Sequence, residues 1–332
     1  VLPVQFVEDA NGPQVLFATP VEALGSVCVA DLREEAPPTP PKSRLKVGPK
    51  RLENDRWSVK IDGNGNITSI TSVEDPSLEF IAPGKLANLF QLFDDHPLFW
   101  EAWDIEPFML ETVTNLTKAD SVEVVENGPV RIAIETVRTF GKSKIRQRIS
   151  LGPTPGIRFD TWVDWHESRK MLKVAFPLNV VSQRATFEIQ LGHVERPTHR
   201  NTSWDAAKTE VCAQKWADMS ETGHGVALLN QGKYGHDVYE NMLRLSLLRS
   251  PKAPDPECDM GSHFFSYVVY PHFDTVTQSD TVASAYAFNA EPRVVPVEAG
   301  SGIAASTPRF VTCGSRNLVV ETVKKSEDGE FL

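Results

Sequence analysis

Cysteine is scarce in this chain: four residues, Cys28, Cys212, Cys258 and Cys313, with no CxxC pair and no zinc-finger spacing. That scatter excludes a disulfide framework and a structural metal cluster, and leaves free, mostly buried thiols as the expectation. Long apolar runs are missing too, which excludes membrane-spanning helices. Positive charge is in short supply: 34 Lys and Arg face 44 Asp and Glu, for a formal net charge of −10, and no basic patch offsets it. Such a surface repels a phosphate backbone, so nucleic acid is excluded as a partner. Neither an initial methionine nor a charged n-region with an apolar core opens the chain, which we read as a fragment of a longer protein. Sequons begin at Asn66, Asn115 and Asn201, a number that chance supplies in this length, and they leave the compartment open.

What is present reads as β structure. The 24 prolines and 20 glycines punctuate short alternating segments, as expected of many strands joined by turns. Over 144–151, Ile145, Ile149 and Leu151 share one parity, and Lys144, Arg146 and Arg148 take the other. A Gly-Pro-Thr-Pro-Gly turn at 152–156 leads into 157–165, where Ile157, Phe159, Val163 and Trp165 alternate with Arg158, Asp160 and Asp164, predicting an antiparallel hairpin. Similar alternation at 57–61, 130–134 and 187–191 requires two packed sheets. The proline-rich stretch 36–41 reads as a linker, with a boundary near residue 45. Segment 203–221 fits a helix capped by Ser203, and its later part also alternates like a strand; 234–238 and 250–256 read as loops. No helix longer than a few turns is expected.

Signatures of catalysis are thin. No HxH or HxxxH pair stands beside a carboxylate, no GxSxG elbow occurs, and Gly63-Asn64-Gly65 belongs to a turn. Segment 93–104 is different, because it gathers Trp100 and Trp103 with Asp94, Asp95 and Asp104. Indole faces pack on the C–H side of a pyranose while carboxylates accept from its hydroxyls. The alternative is that the tryptophans plug a sandwich edge and the aspartates cap turns. Arg249 shares the parity of Leu243, Leu245 and Leu247, so strict alternation directs it to the apolar side at a strand end, where its charge needs a partner or an escape to solvent.

Several motifs resemble the C-terminal region of glycoside hydrolase family 38 α-mannosidases, in their cytosolic and vacuolar subgroup. They are Arg196-Pro-Thr-His-Arg-Asn-Thr-Ser-Trp-Asp, Glu210-Val-Cys-Ala-Gln-Lys-Trp-Ala-Asp, Gly225-Val-Ala-Leu-Leu-Asn, Lys233-Tyr-Gly-His-Asp-Val and Leu243-Arg-Leu-Ser-Leu-Leu-Arg-Ser-Pro. Segment 94–104 is similar to the subgroup's Trp-Asp-Ala-Trp-Asp stretch, with Glu101 in place of an aspartate.

The resemblance implies an all-β chain: a large antiparallel super-sandwich of the galactose-mutarotase-like kind over 47–290. The end of a small β domain and the proline-rich linker would occupy 1–46, and a truncated terminal β domain 291–332. It makes 210–218 a strand. It further implies the non-catalytic part of a retaining α-mannosidase, with zinc ligands and nucleophile in an N-terminal catalytic domain of the same protein. In that reading Arg249, Trp100, Trp103, Asp104, Tyr234 and Asp237 support the mannose pocket, and this chain carries no catalytic residue and no metal ligand. The partners are the catalytic domain and a mannose-containing oligosaccharide, with no nucleic acid and no membrane; a homo-oligomer is left open, and the compartment is cytoplasmic or vacuolar. The rival is a stand-alone lectin-like β-sandwich in which Trp100, Trp103 and Asp104 bind sugar without chemistry.

Overall fold

A computed structural model describes residues 3–9, 12–19, 21, 25–27, 44–290, 292–296, 306–307, 311–315 and 318–329. The proline-rich stretch 36–41 and Cys28 lie outside the described residues. The chain forms two compact units, one of Val4–Leu16 with Pro41–Pro292 and one of Val1–Pro3, Phe17–Pro40 and Arg293–Leu332. The expected division at residue 46 put Val4–Leu16 elsewhere. That segment belongs with the sandwich because the Gln5 side chain accepts the backbone N–H groups of Val130 and Arg131 at 3.1 and 2.8 Å.

Strands β1 (Val4–Asp9) and β2 (Gly12–Phe17) pair with each other, and β3 (Ser26–Val27) lies in the smaller unit. A four-stranded meander follows: β4 (Lys46–Gly48), β5 (Arg51–Glu53), β6 (Trp57–Ile61) and β7 (Ile67–Ser72). The main strands are β8 (Leu89–Asp94), β9 (Thr114–Asn115), β10 (Ser121–Asn127), β11 (Ile132–Phe140), β12 (Ser143–Leu151), β13 (Ile157–Trp165), β14 (Lys170–Pro177) and β15 (Arg184–Ile189). They continue with β16 (Gly192–Pro197), β17 (Val211–Cys212), β18 (Trp216–Glu221), β19 (His224–Asn230), β20 (Gly235–Tyr239), β21 (Met242–Arg249) and β22 (Gly261–Phe273). A nine-stranded sheet runs β10-β11-β12-β13-β22-β19-β18-β15-β16, and a six-stranded sheet runs β17-β20-β21-β14-β8-β9. β23 (Ser306–Thr307) pairs with β3.

The sheets form because period-two alternation gives each strand one apolar face that must be buried. Ile145, Ile149, Phe159 and Val163 meet Phe90, Leu172, Val174, Phe176, Leu243 and Leu245 in one continuous core. The hairpin expected from 144–165 is present, with Ile149 opposite Phe159 and Arg146 opposite Trp162. A buried polar ring crosses this core with its bonds satisfied. The Tyr267 hydroxyl donates to Asn88 Oδ1 and accepts from Gln147 Nε2, and Asn88 Nδ2 donates to Gln147 Oε1, each at 2.7 Å.

Several local expectations need correction. Helix and strand both occur in 203–221: α1 (Ser203–Ala207) is capped by Thr202 rather than Ser203, its hydroxyl accepting from Asp205 N–H, and β17 and β18 follow. Of 234–238, expected as loop, residues 235–238 belong to β20, because pairing with β21 supplies ladder bonds that local turn chemistry does not reveal. Helix α2 (Thr281–Asn289) was not anticipated; it packs Ala285 and Phe288 on Trp216, Ala227, Val268 and Tyr270. Cys212 and Cys313 are exposed rather than buried, Cys212 because it sits on a two-residue edge strand. Among the described residues no helix is long and apolar enough to cross a membrane.

Phe159 is fully buried, stacked on Tyr267 at 4.9 Å between ring centroids and edge-on to Phe176 at 6.1 Å. Phe159→Ala is expected to cost about 3–5 kcal/mol of stability, read as a lower denaturation midpoint. A change near zero would mean that the two sheets do not share this core.

Candidate functional site

The charged end of the six-stranded sheet is built where three strands finish or begin. Asp94 closes β8 opposite Lys170, which opens β14, and Arg249 closes β21 opposite Met171. Strict alternation would direct Arg249 into the core with Leu243 and Leu245. It does not, because β21 carries a bulge. Leu172 pairs with Leu248 but Lys173 pairs with Ser246, which leaves Leu247 as the extra residue. Cross-strand partners share a face. Arg249 therefore emerges beside Met171, on the outer surface where Met171 packs with Phe93 and Met109, while Leu172 and Val174 face the main core.

There its charge meets a carboxylate. Arg249 Nε and Nη2 both donate to Asp95, the latter at 3.1 Å, and Nη2 also donates to the Asp104 carbonyl. Asp95 is only 2% exposed, so this charge-assisted fork spans a partly desolvated pair 154 residues apart in sequence. The backbone N–H of Arg249 donates to Asp259 Oδ2 at 3.1 Å.

The segment after Asp95 is tied down from below and apolar on top. Glu101 Oε1 accepts from Arg169 Nε and Nη2 at 3.1 and 2.8 Å, and its Oε2 accepts from Lys252 N–H at 2.7 Å. The Arg169 bond, with the Lys252 N–H second, holds the Glu101 carboxyl below its ordinary range. Trp100 adopts a left-handed φ of 56°, and its carbonyl accepts from Trp103 and Asp104 N–H at 2.7 and 3.2 Å. Asp104 Oδ1 accepts from the next backbone N–H, that of Ile105, at 2.9 Å. Trp100 and Trp103 are 80% and 89% exposed, beside exposed Leu98 and Phe99. They do not plug a sandwich edge.

Of the remaining sequence-derived residues, Tyr234 is half exposed just ahead of β20, at the same end of the sheet as Arg249. Asp237 belongs to a separate buried cluster on the outer face. Its carboxylate takes Lys173 Nζ at 2.6 Å and Arg244 Nη1 at 2.8 Å, while Lys173 also pairs with Glu210. Arg244 Nε donates to Gln91 Oε1 at 2.8 Å. Lys173 has no exposed surface. Burial pushes its pKa down, but Asp237 and Glu210 outweigh burial and the net shift is upward. For Asp237 burial is likewise outweighed, by Lys173 and Arg244, and its pKa is lowered; for Glu210 burial wins and its pKa is raised. Residue-level reading missed the pairing of Asp95 with Arg249 and of Glu101 with Arg169, and the Lys173, Glu210 and Arg244 that surround Asp237. A signal for the last was present: Lys173 interrupts the apolar run 171–177.

His236 faces the opposite way, into the core beside Phe187. Its Nδ1 lies 3.2 Å from the Tyr234 carbonyl, which can only accept, so Nδ1 carries the proton and Nε2 has no protein partner. Burial, with Lys173 nearby, lowers its pKa from 6.5 to about 4. The folded state therefore binds fewer protons than the unfolded state between those values, and stability falls as pH drops from about 6.5 to about 4. His236→Gln should flatten that part of the pH–stability curve, removing a difference on the order of 3 kcal/mol. Identical slopes in both proteins would contradict it. Lys173→Ala, which strands Asp237 and Glu210 without a cation, is expected to cost about 3–5 kcal/mol at neutral pH, checked by denaturant titration.

Among the described residues no three His, Cys, Asp or Glu side chains converge to hold a metal ion. Residues 52–257 match the family described as glycosyl hydrolases family 38 C-terminal domain. Over 283 residues, 84% of this chain, the sequence is 42% identical to Alpha-mannosidase 2C1 of Homo sapiens, covering 27% of that protein. Alpha-mannosidase G of Dictyostelium discoideum is 38% identical over 84% of this chain and 26% of its own length, and an alpha-mannosidase of Saccharomyces cerevisiae is 40% identical over 83% and 27%. The chain thus spans about a quarter of the length of these curated relatives. Among solved structures, a family 38 protein of Enterococcus faecalis aligns with a TM-score of 0.65 at 16% identity, over 86% of this chain and 38% of that one, a likeness of fold. On the match across the sandwich and the identity to its relatives, this chain belongs to glycosyl hydrolase family 38, as a C-terminal domain.

Proposed function

We propose that this chain is the non-catalytic β-sandwich part of a retaining α-mannosidase that removes terminal α-D-mannose from oligosaccharides in glycan catabolism, in the cytoplasm or vacuole. The observation that carries the reading is the identity of 38–42% over most of the chain to proteins named alpha-mannosidases. The same relatives weigh against a stand-alone lectin. Retaining hydrolysis needs a nucleophilic carboxylate and an acid/base partner flanking the bond. The family resemblance assigns both, with the zinc, to the N-terminal catalytic domain. Among the described residues no set of side chains fits the metal: Glu210 and Asp237, the buried carboxylates that converge, do so on Lys173.

What the chain supplies is position. The Arg249 fork fixes Asp95 and the Asp104 carbonyl, and Glu101 fixes the base of the same loop. The indoles of Trp100 and Trp103 are thereby presented on a braced support, directed in this reading at the mannose pocket of the catalytic domain, with Tyr234 at the same end. A braced aromatic face lowers the entropy lost when a pyranose packs on it. Asp237 acts farther along the same outer face, by keeping Lys173 and Arg244 compensated.

The test uses the full-length enzyme and an aryl α-mannoside. Trp103→Ala, which has almost no packing to lose, should lower kcat/KM roughly tenfold with Tm unchanged. Arg249→Ala removes a charge-assisted fork and should lower kcat/KM tenfold or more, corresponding to about 1.5–3 kcal/mol. Unchanged kcat/KM in Trp100→Ala, Trp103→Ala and Arg249→Ala would make these residues structural. A full-length protein that leaves the aryl mannoside intact would sink the function itself.

A further inference from the structure

The outer face of the nine-stranded sheet is divided. Helix α2 covers Trp216, Ala227 and Tyr270 on one part. On another, cross-strand neighbours make a row in which Arg146 stands opposite Trp162 and Trp162 opposite Phe264, with Glu135 opposite Arg148 in the next row. Strand β1 forms a wall beside these rows, and between wall and floor lies a groove of about 860 Å³.

The floor is organised. The Arg146 guanidinium sits 3.8 Å from the Trp162 ring centroid, and the Trp162 and Phe264 rings lie 5.0 Å apart. Phe264 is 57% exposed and Phe6, on the β1 wall, 72% exposed. The arginines are already paired, Arg146 with Glu135 at 2.9 Å and Arg148 with Glu126 at 3.1 Å. Arg148 Nε is buried without a protein partner.

We propose that this groove binds a neutral oligosaccharide, on the sheet opposite to the one that carries Arg249. Three ligand classes can be weighed by chemistry. A polyanion would meet Glu8, Glu126 and Glu135 with arginines that are already neutralised. A purely apolar partner would strip water from two ion pairs and return no hydrogen bond. A sugar chain answers both demands, its C–H faces packing on Phe264 and Phe6 while its hydroxyls replace water on the carboxylates and guanidiniums. The groove's volume is within the usual range for ligand sites, roughly 300–1,000 Å³. The choice of mannose oligosaccharides as the probe rests on the α-mannosidase reading above; the groove itself does not.

The experiment passes the full-length protein over immobilised mannose oligosaccharides in a surface plasmon resonance measurement, in parallel with aryl α-mannoside hydrolysis. Phe264→Ala and Phe6→Ala remove exposed rings and should keep the fold. Each should weaken oligosaccharide binding roughly tenfold while kcat/KM on the aryl mannoside stays at the wild-type value. Wild-type affinity in both variants, absence of binding by the wild type, or a parallel loss of binding and aryl hydrolysis each overturns the groove. So does hydroxyl-radical footprinting that finds Phe264 protected before any sugar is added, since the rest of the protein would then cover this face. Wild-type protein that binds the oligosaccharide but hydrolyses no aryl mannoside would refute the α-mannosidase reading and leave the groove standing.

Discussion

One extra residue in β21 controls the charged end of the sandwich. Side chains alternate along a strand with period two, so inserting Leu247 between two paired positions reverses every face beyond it. Without the bulge Arg249 would enter a core of Leu243, Leu245 and Val174, where a guanidinium without a partner is untenable. With it, Arg249 reaches Asp95 and the Asp104 carbonyl, and the loop carrying both tryptophans acquires its anchor.

The two outer faces solve the same problem differently. Each sheet turns one face to the shared core, and the other must be covered or made polar. The six-stranded sheet does both. Residues 105–110 lay Ile105, Met109 and Leu110 over Phe93 and Met171, and beside them Lys173, Asp237, Glu210 and Arg244 form a compensated ionic layer. The nine-stranded sheet is capped by α2 at one part and elsewhere presents paired charges and aromatic rings around an open groove. In a chain of net charge −10 both arrangements place the few cations where carboxylates converge.

These placements connect to dynamics and function through rigidity. A loop bearing four exposed apolar side chains, Leu98, Phe99, Trp100 and Trp103, would ordinarily sample many conformations. Here Glu101 is bound to Arg169 and Lys252, and Arg249 holds the two flanks. A pre-ordered aromatic surface is what a binding partner or a sugar uses at least entropic cost.

Much of this fold was legible in the sequence, because alternation is a local property. Ile145, Ile149 and Phe159 announce their buried face without reference to any other strand, and the Pro-Gly turn at 152–156 fixes the hairpin. The polar-aromatic make-up of 93–104 likewise marked a candidate site. Three things were not legible: the bulge that turns Arg249 outward, the choice of Asp95 as its partner, and the burial of Lys173. The chain by itself determined which apolar residues of the alternating segments had to be buried and where the 144–165 hairpin had to turn. The tertiary structure decided the face on which Arg249 emerges and the carboxylates that meet it and Lys173, because a bulge depends on registry with β14 and an ion pair on groups up to 154 residues apart, neither of which a local pattern encodes.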